Sequence, residues 1–393
     1  MAKKAKQQGG AVKEKKQNIY AARSQKKRRR ILRRSIIFLL LVMAVMVLYR
    51  RRDSWMPGLD ASGRQSQQQE GKFPLYIPGS SEYQMGAADG KLVVLTDSYL
   101  NFYQTGGGQV AARQHTYGSA MLQTAGNYAL VYENGGTRFR LDTPGKAVFE
   151  KTVSDPIIFG RVSDQGKVAL VTGSETCACR MLVFNAKGQQ LYARNCVEDL
   201  SDICFRSDGG GCYAVSVFMQ EGSLKSVVNS YSFTSKDDLW HSQALDMLAV
   251  SVYNTSEGNA FVFGDTRCVF LDRDGAVTGS YEYPKSLSGC AFRDQTAVLL
   301  LSDQERRSSS VVILDGSTQS PVVRSYEKEI KAVGLLSDGT ILVQLRSKLE
   351  RLSETGRVLE EKEISDSYEG FRSVGSYIFL HGYQHIDRTE LHK

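Results

Sequence analysis

Asp89-Gly90-Lys91-Leu92-Val93-Val94-Leu95-Thr96-Asp97-Ser98-Tyr99-Leu100-Asn101-Phe102-Tyr103-Gln104-Thr105-Gly106 carries the grammar of most of this 393-residue chain. The Asp-Gly pair supplies the positive φ angles that a tight hairpin requires. An apolar, β-branched run follows (Lys91–Thr96), then a polar turn at Asp97-Ser98, an aromatic run and a closing glycine turn. Runs this short, bounded by turn residues, read as strands and not as helices.

Outward from that stretch the pattern returns. Tyr128–Tyr132, Lys167–Thr172, Tyr213–Phe218, Asn259–Phe263, Thr296–Leu301, Thr340–Gln344 and Tyr377–Leu380 repeat the apolar run, each just after a turn signal. Those turns step seven times between positions 89 and 375, a mean of about 41 residues, the period of a propeller blade. A second turn series lies about 18 residues further on, as in Leu141–Gly145, Phe184–Gly188, Leu271–Gly275 and Leu352–Gly356. Two hairpins per period make a four-stranded blade. One blade cannot bury both of its faces, so neighbours must stack and the ring must close.

Counting an inner strand and three outward strands predicts an all-β, eight-bladed β-propeller over residues 73–393, with seven blades as the alternative if two weak units merge. The units begin near residues 82, 118, 157, 201, 246, 287, 330 and 369. The last lacks its outer strand, and Phe73–Ile77 (FPLYI) is expected to supply it. In the fourth unit, the longest, Met219–Leu224 reads as an extended hairpin loop.

Ahead of the repeats lies one apolar stretch, Ile31–Tyr49. Its 19 positions would make a helix of about 28 Å, close to the hydrocarbon thickness of a bilayer. Residues 1–34 hold 14 Lys and Arg, whereas only Arg50, Arg51 and Arg52 follow the stretch at once. The positive-inside rule therefore predicts an uncleaved signal anchor, with a basic cytoplasmic tail (1–30), a transmembrane helix (31–49) and an extracytoplasmic remainder. The tail is placed to meet anionic lipid headgroups. Residues 50–72, polar and without periodicity, read as a juxtamembrane tether. Beyond residue 52 the balance is 33 basic to 41 acidic side chains, or −8, which argues against nucleic acid as a partner of the outer part.

The turn grammar resembles propellers of the quinoprotein-like and lipoprotein-scaffold kind. The chain as a whole is similar to uncharacterised, membrane-anchored propeller proteins of Gram-positive, clostridia-like bacteria, through Phe73–Gly79 (FPLYIPG) and Asp97–Gly106 (DSYLNFYQTG). Those motifs are structural. The resemblance implies fold and placement and carries over no functional residue.

Chemistry is sparse. Seven cysteines include Cys177, Cys179, Cys196, Cys204 and Cys212 in close succession. Cys177 or Cys179 could pair with Cys196 across one hairpin and Cys204 with Cys212 across the next, with buried free thiols as the other reading. No Cys-x-x-Cys spacing suggests a metal, and His381 and His385 lack the Glu of a helical zinc motif. No Gly-x-Ser-x-Gly elbow occurs. The tryptophan docking repeat of quinoproteins is absent, so no cofactor is expected. Tyr281, Tyr283 and Tyr368, with Glu282, Asp366 and Glu369, fall near inter-blade loops. Solvated loops of mixed composition are the plain reading there; an aromatic-acidic rim for a peptide or glycan is the sharper one. The expected role is a scaffold or recognition platform that docks a protein or cell-wall component. An enzyme or glycan-binding protein of the envelope, working through the propeller funnel, is the rival.

Overall fold

The computed structural model describes residues 72–77, 82–235, 237–303, 305–316 and 320–391. The predicted tail, anchor and tether up to residue 71 lie outside the described residues, as does His392. Among the described residues there is no helix, and 32 strands form eight four-stranded antiparallel sheets. The chain builds a propeller of eight blades, not seven. The inner strands begin at Gln84, Ala120, Ile157, Asp199, Ala249, Ser286, Ile330 and Gly370, none more than three residues from the expected starts.

Seven blades run inner to outer in chain order. The eighth takes its outermost strand from the other end, with Leu75 opposite Ile386 and Tyr76 opposite His385. Ile77 N–H extends the pairing to the Gln384 carbonyl at 2.9 Å. The Arg388 guanidinium lies over the rings of Phe73 and Tyr377, 5.3 and 4.7 Å from their centroids. The amino-terminal strand thus fastens the ring, as the missing outer strand of the last unit predicts.

Strand position explains strand composition. Second strands such as Val168–Thr172, Ala260–Gly264 and Ile341–Leu345 are buried at every residue, because blades cover both of their faces. Outer strands such as Gln109–Gln114 and Val358–Glu363 alternate half-buried and exposed positions, with one face on the next blade and one in water. The core is accordingly divided into eight apolar clusters, one in each seam between neighbouring blades. One of them packs Leu75 and Ile77 with Leu92, Val94, Phe379 and Ile386 across the closing seam.

The fourth blade departs from its neighbours. Its middle strands, Gly211–Gln220 and Ser223–Ser232, are ten residues each and pair without a break from Gly211↔Ser232 to Gln220↔Ser223. The segment read as an extended loop is therefore strand. Only Glu221 (φ 51°) and Gly222 (φ 77°) turn the chain, in the left-handed conformation of a two-residue hairpin turn.

Candidate functional site

Strand order sorts the connections onto two faces of the ring. Turns between first and second strands and between third and fourth strands lie on one face. Turns between second and third strands, and the links from blade to blade, lie on the other. The eight inner strands line the channel between these faces.

Much of the polarity at the channel wall is spent holding blades together. Gln84 Nε2 donates to the Ala120 carbonyl and its Oε1 accepts from Leu122 N–H, both at 2.9 Å, so one amide spans the first two inner strands. Farther round, Arg161 Nε donates to Asp202 Oδ1 at 2.8 Å, and Asp202 Oδ2 accepts from Val252 N–H at 3.0 Å. That carboxylate ties the third, fourth and fifth blades. Burial pushes its pKa up, while Arg161 and the Val252 amide oppose the shift. Five inner strands also carry a β-bulge near their start, which re-aims the side chain at that position.

Each face has a cleft at its mouth. On the face of the inner turns it measures about 610 Å³ and is bordered by Arg161, Asp164, Asp202, Arg206, Asn254 and Asp294. Cys204 also lines it, its thiol pushed up to about 12 by burial. On the opposite face a cleft of about 760 Å³ carries Asp303, Arg307, Ser309, Glu329, Lys331 and Glu369. Lys331 Nζ is already engaged there, donating to the carbonyls of Asp366 and Tyr368 at 2.7 and 2.8 Å. At the edge of this second cleft Lys285 Nζ donates to Ser308 Oγ and to Ser310 Oγ, both at 3.2 Å. Among the described residues no three metal-binding side chains converge.

The tyrosines near the inter-blade loops do not form an aromatic rim. Tyr281 and Tyr283 pack on the apolar cluster between the fifth and sixth blades. Tyr368 is buried between the seventh and eighth, its hydroxyl donating to Asp387 Oδ2 at 2.8 Å. Of that group Glu369 lines the second of the two clefts. His381 and His385 stand on opposite strands of one hairpin and project to opposite faces: His381 meets the Tyr83 ring at 4.3 Å and His385 the Tyr368 ring at 5.8 Å. Their spacing of four therefore brings no shared ligand position.

All seven cysteines are free thiols. Cys179 stands directly opposite Cys196. Cys204 is opposite Tyr213 and Cys212 opposite Phe205, so Cys204 and Cys212 project from opposite faces of the same sheet. A bond between them would have to pass through the strand pair, which corrects that expectation.

A feature not expected from the sequence lies on the link face of the fourth blade. The register of its first two strands runs Leu200↔Ser216 and Asp199↔Val217. Met219, on the part of the second strand that outruns the first, pairs with Leu224, and Val197 lies in the link ahead of the first strand. Met219 and Leu224 make a short apolar row, 62% and 45% exposed, and Val197 on the link is 87% exposed. On the adjoining blades Ile158 and Val250, each second in a bulged inner strand, are 47% and 45% exposed on the same face. The ion pair of Lys225 with Asp246 flanks the row.

The match to a family model runs over residues 77–390, from the closing strand through the eighth blade: DUF5711, a family of unknown function. The chain belongs to this family. Among curated proteins none is significantly similar in sequence. Several solved propellers are similar in fold. BamB from Moraxella catarrhalis shares 8% identity at a TM-score of 0.56, over 82% of this chain and 99% of that one. The computationally designed Ika8 protein shares 12% at 0.61, over 80% and 98%. Chaetomium thermophilum Sqt1, bound to the N-terminus of ribosomal protein L10, shares 15% at 0.56, over 80% and 98%. At such identities the likeness establishes the propeller fold for this family member and nothing finer.

Proposed function

We propose that this protein is a single-pass membrane protein whose propeller stands outside the cytoplasm and docks a protein partner through the link face of its fourth blade. The observation that carries this reading is the short exposed row Met219–Leu224, built on a hairpin longer than those of the other blades among the described residues. A ring closed through eight apolar seams is rigid enough to present that row without ordering cost, so binding energy is not lost to rearrangement. A fold neighbour, Sqt1, holds the N-terminus of a ribosomal protein, an instance of a propeller of this kind receiving a protein segment. In the clefts, by contrast, Arg161, Asp202 and Lys331 are already engaged in blade-to-blade contacts.

The anchor and the placement rest on Ile31–Tyr49 and its asymmetric flanks, with the basic tail against anionic headgroups. Labelling of intact cells with a membrane-impermeant lysine reagent tests placement. Modification of Lys187 and Lys362 with Lys3 and Lys26 protected supports it; the reverse pattern refutes it. Crosslinking in intact cells, followed by purification through the propeller, tests the function. A protein partner recovered with the wild type and lost with Met219→Asp supports docking. Glycan or peptidoglycan fragments retained equally by both forms would instead support the envelope-polymer reading.

A further inference from the structure

Cys179 opens the third strand of the third blade (Cys179–Phe184) and Cys196 closes its outer strand (Gln190–Cys196). The two are directly opposed in register and both face the seam with the fourth blade, 1% and 6% exposed. Directly opposed residues of an antiparallel pair have Cα atoms about 4.5–5.5 Å apart. A disulfide spans about 4.4–6.8 Å between Cα atoms, so the backbone need not move to accept one. Each thiol bears on the other: Cys196 holds Cys179 below the usual thiol range, and Cys179 together with burial pushes Cys196 above it. Cys179 Sγ also meets the Glu198 carbonyl at 3.6 Å, and Glu198 and Cys196 flank Val197.

The neighbouring thiols are placed otherwise. Cys177 Sγ is 3.1 Å from Ser174 Oγ and 3.2 Å from the Cys179 carbonyl, on the loop before the strand, with no opposed cysteine. Cys212 shares the seam but sits on the second strand of the fourth blade, opposite Phe205.

We propose that Cys179 and Cys196 are a disulfide-forming pair that staples the outer hairpin of the third blade at the root of the loop bearing Val197. The oxidant is a small-molecule or protein disulfide of the glutathione class. The Cys179 thiolate attacks one sulfur of that disulfide and releases one thiolate. The Cys196 sulfur then attacks Cys179 in the mixed disulfide, forming the Cys179–Cys196 bond and releasing the second. Two electrons leave the cysteines, and their two protons end on the released thiols. The pair needs neither the docking partner nor the anchor, so the inference stands apart from the proposed function.

The test equilibrates the full-length chain in detergent with graded ratios of oxidised to reduced glutathione, alkylates free thiols and maps linked peptides by mass spectrometry. The expected result is the loss of two of the seven alkylatable thiols and one linked peptide joining Cys179 to Cys196. Cys177→Ser keeps that linkage, and Cys196→Ser abolishes it. Full alkylation of all seven thiols at the most oxidising ratio would overturn the proposal. So would a linked peptide carrying Cys177 in place of Cys179. Because the decisive reading is made on the wild type, a variant that fails to fold does not rescue it.

Discussion

Asp142 has no exposed surface, and two guanidiniums converge on it: Arg140 Nε donates to Oδ2 at 2.7 Å and Arg113 Nη1 stands 3.5 Å from Oδ1. Arg113 also donates to the Pro144 carbonyl at 2.9 Å, and Arg140 to the Gln114 carbonyl at 2.9 Å, so the trio locks the outer edge of the first blade to the second. Removing the carboxylate leaves buried cations facing each other. Asp142→Ala is expected to cost about 3–5 kcal/mol of stability, read by thermal or denaturant unfolding. Nearby, His115 Nε2 lies 2.9 Å from the Thr96 carbonyl, and its Nδ1 accepts from Tyr117 N–H. Burial lowers its pKa, Arg140 and Arg138 add to the effect, and the Thr96 carbonyl and Asp97 oppose it. The unfolded chain therefore binds this proton first. Stability is expected to fall as the pH drops below about 6.5 toward the folded value, and His115→Gln should flatten that segment of the stability–pH curve.

At the scale of the strand and turn, the sequence shows its structure where one physical demand dominates. Gly166, in the inner turn of the third blade, has φ +75°, and a Cβ there would sit 2.6 Å from the Tyr128 ring of the second blade. Gly222, at φ +77°, has open space around it. Gly166→Ala is expected to cost more than Gly222→Ala, by about 1–3 kcal/mol for the steric part, compared in unfolding midpoints. Turn glycines and apolar runs were legible because they answer to backbone geometry and burial alone. The tyrosines were not: a tyrosine near a loop reads the same in sequence whether it faces water or, like Tyr283, an apolar seam. The Met219–Leu224 row was hidden for a related reason. Its residues are ordinary strand formers, and their exposure follows from a hairpin that outgrows its neighbours. Val197→Asp and Met219→Asp are expected to change stability by less than about 0.5 kcal/mol, since both side chains are solvated. They should weaken partner capture all the same, a separation that crosslinking yield beside melting curves will show.

On the scale of the whole ring, the period of about forty residues, the number of blades and the closing strand could all be read ahead, because repetition multiplies a weak local signal. What closes the ring is a two-residue pairing and the apolar contacts of Leu75 and Ile77. Leu75→Ala should therefore cost about 2–5 kcal/mol although its strand pairs with the last blade alone, while Tyr76→Ala, at a position 77% exposed, should cost little. The blade-to-blade clamps at Gln84, Arg161 and Asp202 were not legible, since a polar residue in an inner strand gives no hint of which neighbour it reaches. The central claim is that the fourth blade's link face is where a partner sits. A photoreactive amino acid placed at Met219, and in a control at Lys187 on the opposite face, tests it most directly in intact cells. The account predicts a discrete protein adduct from position 219 and none from 187. Adducts of equal yield from both positions, or none from 219, would contradict it.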